Sequence, residues 1–332
     1  MAAVSPELIS RSVLERYPAP LRPLSLASLG NRGGFSGARL WRVRCEVGDV
    51  CLRAWPPHVS PQSIAFQHGL MHRAREAGLT FVPVVYCTKQ GPTWVEHAGR
   101  CWEATSWQPG RADFEANPSP ARLRTASSAL ARVHEVWAGQ STGAGSCPAI
   151  QRRLARAAEW LQLTGSGWRA PLVARPGDWL RSQVEKAWFL LADQVQRVPG
   201  LLAPFDSVKV PLQPCLCDVW HDHLLFEGDT LTGLVDFGGV KIDYVSVDLA
   251  RMLGSLVGGE DQLWSVGLEA YREVRAFSAR EERLAQALDV TGTIVGLVNW
   301  LLWIYRDGMQ YEDWHGVARR MAYLIRRIEP PN

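Results

Sequence analysis

The sequence predicts an α+β protein of two lobes, with a small antiparallel sheet and one helix at residues 1–104 and a mostly helical part at residues 105–332. Three patterns support this prediction. Apolar and polar residues alternate in short runs in the first hundred residues, as in half-buried strands. Apolar residues then recur at helical spacing over long stretches. Within the helical part, two short apolar runs around Glu227-Gly228-Asp229 predict a β-hairpin.

Turn and cap residues place the elements of the first lobe in order. Glu46–Asp49 separates two alternating runs, and Gln90-Gly91-Pro92 forms a further turn. Ser60 and Pro61 suit the N-cap and first turn of a helix, and Gly78 suits its end. The predicted elements are strands at Trp41–Cys45 and Val50–Trp55, a helix over 61–77, strands at Val82–Cys87 and Thr93–His97, and a linker near 102–110 in a sheet of about five strands.

Helical patterns dominate the second lobe. Ser119 and Pro120 begin a helix whose apolar face extends to Trp137. The small residues of Gly139–Gly145 predict a flexible loop. The remaining predicted elements are helices at 149–163 and 178–197, hairpin strands at Leu224–Phe226 and Leu231–Val235, and almost entirely helical chain after the hairpin, including a buried helix at Val290–Tyr305.

The composition excludes several classes of protein. The chain has 332 residues, 47% hydrophobic and 21% charged, which is typical of globular proteins rather than disordered or fibrous ones. The net charge of +3, without a Lys/Arg block, argues against a nucleic-acid partner. The apolar tract Val290–Tyr305 contains Asn299 and is short for a membrane span, so we expect no membrane partner. Seven scattered cysteines and no secretory signal pattern predict a location in the reducing cytoplasm.

Two carboxylates flank the predicted hairpin. Asp218 precedes its first strand and Asp236 follows its second, so folding should bring both to the same open end. One carboxylate can accept the proton of an acceptor hydroxyl, and the other can hold a Mg²⁺ ion that bridges nucleotide phosphates. We therefore expect a phosphoryl-transfer site.

A glycine-rich segment precedes the first predicted strand. Gly33, Gly34 and Ser36 lie in the run Gly33-Gly34-Phe35-Ser36-Gly37, where backbone amides without side-chain bulk could cover phosphates. Such turns precede many strands, and it is the downstream pair of carboxylates that favours a nucleotide-binding role here.

Several motifs stand in a specific order along the chain. They are Trp107–Gly110, Leu130–His134, Leu216-Cys217-Asp218 through His223, Val235-Asp236-Phe237-Gly238, and Asp248-Leu249-Ala250. This ordered set resembles the aminoglycoside phosphotransferase and choline kinase family, small-molecule kinases with a protein-kinase-like fold. The resemblance covers most of the chain and is far more specific than any one motif.

The resemblance implies roles for individual residues. Asp218 would be the catalytic base, and Asp236 with His223 would hold the metal ion. The nucleotide would be bound through Arg53 and the segment of Gly33, Gly34 and Ser36, with Gln67 on the helix and Glu103 in the linker near it. The implied reaction transfers the γ-phosphoryl group of ATP or GTP, with Mg²⁺ or Mn²⁺, to a hydroxyl of a small metabolite or an antibiotic-like amine.

The chain departs from the family pattern at several supporting positions. Leu216 replaces a histidine, Gln67 replaces a glutamate that pairs with the phosphate-binding cation, and His223 replaces a metal-binding asparagine. Gly239 stands where a further acid is common. An imidazole suits Mn²⁺ or Zn²⁺ better than Mg²⁺. These changes leave a second hypothesis open, a degenerate kinase fold that binds a nucleotide or partner without turnover.

A zinc site is a third hypothesis. Cys215, Cys217, His221 and His223 are all competent donors within nine residues, although their spacing is unlike that of known zinc motifs.

The acceptor is not determined by the sequence. Trp220, Trp300 and Trp303 could form an aromatic cage for an amine, but the helical spacing of the last two favours core packing. The oligomeric state also stays open.

Overall fold

A computed structural model describes residues 6–31, 35–170 and 180–329. The chain folds into two compact units. Unit 1 comprises residues 1–125 and 222–238, and unit 2 comprises residues 126–221 and 239–332. The chain thus enters unit 1 a second time to build the hairpin. The predicted boundary between residues 104 and 105 falls inside a strand, Arg100–Ser106, so the predicted linker at 102–110 is wrong over its first half.

Unit 1 is built on an antiparallel sheet. Its strands are β1 (Ser25–Gly30), β2 (Arg39–Cys45), β3 (Gly48–Ala54), β4 (Trp94–His97) and β5 (Arg100–Ser106), in the order β1-β2-β3-β5-β4. Along β3 the buried residues alternate with half-buried ones, which puts Val50, Leu52 and Ala54 in the core and Arg53 on the other face. This confirms the alternation that the sequence predicts.

Two strand predictions in unit 1 need correction. Val82–Cys87 is not a strand, although Val85 forms an isolated bridge with Thr105. Pro83 has no N–H to donate within this segment. Strand β1 is absent from the sequence prediction, because it is a mostly exposed edge strand with little apolar alternation.

Two helices and a hairpin complete unit 1. Helix α1 is Pro6–Leu14, and α2 is Pro61–Glu76. Ser60 caps α2 by accepting a hydrogen bond from the Ser63 N–H, as the sequence predicts. The hairpin strands β8 (Leu224–Glu227) and β9 (Thr230–Leu234) are antiparallel, with Leu224 opposite Leu234. The predicted hairpin is confirmed.

Unit 2 is mostly helical. Helix α3 (Pro120–Ala138) begins in unit 1 and continues into unit 2. The other helices are α4 (Pro148–Gly165), α5 (Arg181–Asp206), α6 (Ser246–Val257), α7 (Asp261–Arg272), α8 (Ala279–Tyr305) and α9 (Trp314–Ile328). Strands β6 (Gly143–Ser146), β7 (Lys209–Cys215) and β10 (Lys241–Asp243) form a small sheet in the order β10-β7-β6.

The helices of unit 2 match the predicted ones, whereas its sheet is absent from the prediction. Residues 178 and 179 of the helix predicted at 178–197 lie outside the described residues. The loop predicted at Gly139–Gly145 contributes to β6, and β10 interrupts the chain predicted to be helical after the hairpin. Short strands rich in glycine, proline and charge carry no alternation to detect. Helix α8 is long and apolar enough to span a membrane, and 61% of its most apolar window is buried inside the protein.

Gly110 allows the approach of the hairpin to the segment after β5. Its φ is +94°, and an added Cβ would lie 2.4 Å from Thr232 Oγ1 and 2.9 Å from the Phe226 carbonyl oxygen. We expect Gly110→Ala to lower the free energy of unfolding by about 3 kcal/mol, through backbone strain and collision. Urea unfolding measures this loss.

Gly69 supplies a matched control in the same unit. It lies on the exposed face of α2 with open space around its Cα. Gly69→Ala should raise the free energy of unfolding by about 0.5–1 kcal/mol, because alanine loses less entropy in a helix. Equal unfolding midpoints for Gly110→Ala and the parent would mean that the close approach of the hairpin does not require glycine at position 110.

Candidate active site

Arg53 of β3 is held between two carboxylates of unit 1. Its Nη2 donates to Asp236 Oδ1 at 2.9 Å, and its Nη1 lies 3.9 Å from Glu103 Oε1. The guanidinium also lies over the ring of Trp55, 4.6 Å from the centroid. Burial alone would lower the pKa of Arg53, but the charges of Asp236 and Glu103 outweigh it and raise the pKa. Arg53 is therefore a fixed cation with its donor fork constrained on several sides.

Glu103 connects Arg53 to helix α2. Its Oε2 accepts hydrogen bonds from Trp55 Nε1 at 2.8 Å and from His68 Nε2 at 2.7 Å. Burial would raise the pKa of Glu103, but the hydrogen bond and charge of His68, together with Arg53, lower it. The other ring nitrogen of His68 lies 2.7 Å from Thr93 Oγ1. Because an ionised carboxylate only accepts, His68 carries its proton on Nε2.

Asp236 follows β9 with a left-handed backbone, φ +62°. In the described part of the chain, the other residues besides glycine with positive φ are Ala98 and Cys217. Asp236 Oδ1 also accepts from the Gly238 N–H, at 3.2 Å. Burial would raise the pKa of Asp236, but Arg53 and His223 lower it to about 2. The carboxylate is thus ionised across the neutral pH range.

The residues at the end of the hairpin fit a divalent cation. His223 immediately precedes β8, and its Nε2 lies 3.7 Å from Asp236 Oδ2. One carboxylate oxygen and one imidazole nitrogen at this separation can share an ion, and the Asp236 side chain is 40% exposed. Water and phosphate oxygens would supply the other ligands. The imidazole makes this donor set better suited to Mn²⁺ than to Mg²⁺.

Asp218 lies in unit 2, and its carboxylate is paired with Arg251 of α6. Both Nε and Nη2 of Arg251 lie 3.0 Å from Asp218 Oδ1. The Asp218 side chain is 55% exposed and that of Arg251 is 34% exposed. A proton acceptor and a cation are therefore both accessible to a ligand at this position.

The loop that carries Asp218 is held by a buried carboxylate. Asp248 of α6 accepts the backbone N–H of Leu216 at 2.7 Å and that of Cys217 at 2.6 Å. Cys217 is left-handed, with φ +62°. Leu216 packs in the core, as predicted where the family has histidine. Backbone hydrogen bonds to Asp248 thus brace this loop, a role that the sequence alone did not reveal.

His134 of α3 supports Asp248 from behind. Its Nε2 lies 3.0 Å from Asp248 Oδ2, and its Nδ1 lies 2.7 Å from the Tyr271 hydroxyl. Burial lowers the pKa of His134, and the hydrogen bond to Asp248 only partly offsets this. The neutral ring therefore donates from Nε2 to Asp248 and accepts the Tyr271 proton on Nδ1.

The remaining residues predicted to bind the nucleotide have other contacts or lie outside the described part of the chain. Gly33 and Gly34 lie outside the described residues. Ser36 Oγ accepts from the Ala38 N–H at 3.3 Å. Gln67 is buried on α2, and it is its neighbour His68 that bonds to Glu103. Glu103 lies in β5 rather than in a linker. The roles of all these residues in nucleotide binding stay predictions.

The potential metal ligands that come together in the described residues of unit 2 are His134, Cys215 and Asp248, all buried. Two of them already exchange hydrogen bonds with each other and with Tyr271 and the loop. Burial raises the pKa of Cys215 well above its usual range, so it is a neutral thiol. The cluster is satisfied as a hydrogen-bond network.

Comparison with known proteins identifies the family. A sequence profile described as the phosphotransferase enzyme family, APH, matches residues 29–285. The chain belongs to this family. The resemblance that the ordered motifs indicated is confirmed, and with it a small-molecule kinase that acts on a hydroxyl group.

Individual relatives of this phosphotransferase are distant. It is 24% identical over 305 residues to a homoserine kinase of Rhizobium meliloti, covering 86% of each chain. A solved spectinomycin phosphotransferase in complex with ADP and spectinomycin has a TM-score of 0.68 at 10% identity, covering 99% of this chain and 96% of that one. A microcompartment-associated aminopropanol kinase has a TM-score of 0.64 at 14% identity, covering 97% and 95%. The protein-kinase-like α+β fold is thereby confirmed.

Glu103→Gln should destabilise the protein, since it leaves Arg53 and His68 without their shared buried anion. We expect a loss of about 3 kcal/mol in the free energy of unfolding at neutral pH. Urea unfolding of the variant and the parent measures it. Glu96→Gln on the exposed side of neighbouring β4 is the control, with a change within about 0.5 kcal/mol. Similar stabilities of the two variants would argue against the buried network.

His134 should make stability depend on pH. Its folded pKa lies below the ordinary value of 6.5, so the unfolded chain binds more protons. The free energy of unfolding should therefore fall as pH drops below about 6.5, by at most about 1.4 kcal/mol per pH unit from this residue. Urea unfolding at several pH values measures the slope.

In His134→Gln the slope should be shallower than in the parent, whatever the change in absolute stability. Gln62→Ala, which changes an exposed side chain of α2 that has no titratable group, should retain the parent's slope. An unchanged slope in His134→Gln would mean that folding does not change the protonation of this ring.

Proposed function

We propose that this protein transfers the γ-phosphoryl group of ATP or GTP to a hydroxyl of a small metabolite, with a divalent cation. Asp218 acts as the base, Arg53 binds the nucleotide phosphates, and Asp236 with His223 holds the cation. Ser36, Gly33 and Gly34 would cover the phosphates. L-Homoserine, the substrate in the name of the sequence relatives, is the first acceptor to test.

One observation carries the proposal. Arg53 and Asp236, 183 residues apart in the chain, are in direct contact at 2.9 Å at the end of the hairpin. This contact supports phosphoryl transfer, because the guanidinium can bind phosphate oxygens and the carboxylate can hold a metal ion, and these two cations would offset the charge of the transferred group. The left-handed Asp236 aims its carboxylate at this point at the expense of backbone strain.

The chemical step is an in-line displacement. The acceptor hydroxyl gives its proton to the Asp218 carboxylate while its oxygen forms a bond to the γ-phosphorus, and the bond to the β,γ-bridging oxygen breaks to release the nucleoside diphosphate. The fork of Arg53 stabilises the charge on the phosphate oxygens. A cation at Asp236 would neutralise phosphate charge when bound.

The replacements in the supporting positions are compatible with turnover. The loop of Asp218 is braced by Asp248 through two backbone hydrogen bonds, independently of the side chain at position 216. Arg53 has a partner in Glu103 where the family relies on a helix carboxylate at the position of Gln67. These contacts favour an active kinase over a degenerate one.

Asp218→Asn should abolish transfer and leave nucleotide binding intact. We expect at least about a 1000-fold loss of kcat with L-homoserine, because general base catalysis and orientation are both lost. Calorimetric titration with a non-hydrolysable ATP analogue should give the parent's affinity. Asp236→Asn should instead weaken that binding in the presence of Mg²⁺ or Mn²⁺ and change it little without metal.

Glu227→Gln, at the exposed end of β8 in the same hairpin, is the control for effects on folding. Metal-dependent nucleotide binding without transfer to any acceptor would favour the hypothesis of a binding protein. Absence of nucleotide binding with Mg²⁺, with Mn²⁺ and without metal would refute the proposal.

A further inference from the structure

We propose that the acceptor of this kinase is a small hydroxy acid, whose carboxylate is bound by Arg251 with Arg320 adding positive charge. This inference deepens the proposed function and rests on it for the position of the hydroxyl at Asp218. All the residues that carry it belong to unit 2.

Arg251 is fixed next to the proposed base. Two of its nitrogens lie 3.0 Å from Asp218 Oδ1, and its guanidinium carbon lies 4.2 Å from the centroid of the Trp220 ring. Both contacts restrict the rotamers of a long side chain, so less entropy is lost when a ligand binds. Arg251 stays 34% exposed, and while its Nε and Nη2 are turned to Asp218, its Nη1 side can donate to a ligand carboxylate.

Trp220 is a platform for a second cation. The guanidinium carbon of Arg320, from α9, lies 3.5 Å from the same ring centroid. Trp220 itself is 3% exposed, and Tyr323 packs edge-on against it with centroids 5.2 Å apart. The indole therefore already interacts with two of the protein's own cations.

This arrangement argues against an aromatic cage for an amine at Trp220. A ligand ammonium would need the ring face that the guanidiniums cover, and it would be repelled by both. Trp300 and Trp303, the other candidates, pack edge-on against each other in α8 with centroids 5.3 Å apart. The two guanidiniums on Trp220 favour an anion over an ammonium there, and one of them, Arg251, also pairs with the Asp218 carboxylate.

The geometry also limits the size of the acceptor. Its hydroxyl must hydrogen-bond to Asp218, while its carboxylate must reach Arg251, whose nitrogens already touch the same carboxylate oxygen of Asp218. A short chain of a few carbons joins such groups. The hydroxyl and the acid group are thus recognised by adjacent residues.

The nucleotide phosphates are the competing anion for Arg251, and binding experiments separate the two. The first arm is calorimetric titration of the parent and Arg251→Gln with a non-hydrolysable ATP analogue and Mg²⁺, in the absence of any acceptor. We expect equal affinities. A lower affinity in Arg251→Gln would assign the arginine to the phosphates and overturn the proposal.

The second arm compares three short alcohols that differ in charge, titrated into the analogue-bound protein. They are γ-hydroxybutyrate with a carboxylate, L-homoserine with a carboxylate and an ammonium, and aminopropanol with an ammonium alone. We expect both carboxylates to bind at least about tenfold more tightly than aminopropanol. Arg251→Gln should weaken the binding of both by about 10-fold to 100-fold and leave aminopropanol unaffected.

Two further variants test the specificity of the effect. Arg320→Gln should weaken the carboxylates less than Arg251→Gln does, because it acts through charge rather than contact. Arg319→Gln is the matched control, since this neighbour on α9 is 74% exposed and lies 3.5 Å from Asp313. It should bind all three alcohols as the parent does.

The outcomes distinguish a failure of the hydroxy-acid proposal from a failure of the proposed kinase activity. Tighter binding of aminopropanol, an unchanged preference in Arg251→Gln, or no binding of any of the three would overturn the hydroxy-acid proposal. If the carboxylates bind through Arg251 but ATP gives no phosphorylated product, the acceptor site stands and the proposed transfer fails.

Discussion

The guanidinium of Arg53 organises unit 1 around the end of the hairpin. It contacts Asp236 directly and has Glu103 as a second anion. A largely buried cation without partners would be costly, so the sheet and the hairpin must keep their positions to supply the two carboxylates, and His68 of α2 holds one of them, Glu103. The same contacts leave Asp236 ionised and next to His223. The contacts that compensate Arg53 thus also hold an ionised carboxylate next to an imidazole.

A second buried charge has a comparable role in unit 2. Asp248 holds two consecutive backbone N–H groups of the loop before Asp218, and His134 and Tyr271 complete its hydrogen bonds. The left-handed Cys217 can persist because the network determines the local backbone so fully. The loop therefore depends on main-chain groups, which explains how leucine can replace histidine at position 216.

Two faces of helix α6 contact the loop of Asp218. Asp248 points into the core, and Arg251, one turn later, reaches the exposed carboxylate of Asp218. Its position on Trp220, next to Arg320, gives the surroundings of Asp218 a positive character. The proposed acceptor preference depends on this charge.

The sequence by itself determined the family, the fold class, the hairpin and helix α2, because periodicity and ordered motifs are local properties. The roles of Asp218, Asp236, His223 and Arg53 stay predictions from the same motifs. Only the tertiary structure revealed the edge strands β1 and β10, which lack alternation, the central strand β7, whose two prolines obscure its pattern, and the units that the chain enters twice. It also decided that Glu103 lies near Arg53, that Asp248 braces the loop, and that Arg251 pairs with Asp218. These contacts join residues 31 to 50 positions apart, and no local pattern encodes which distant charge will compensate a buried one.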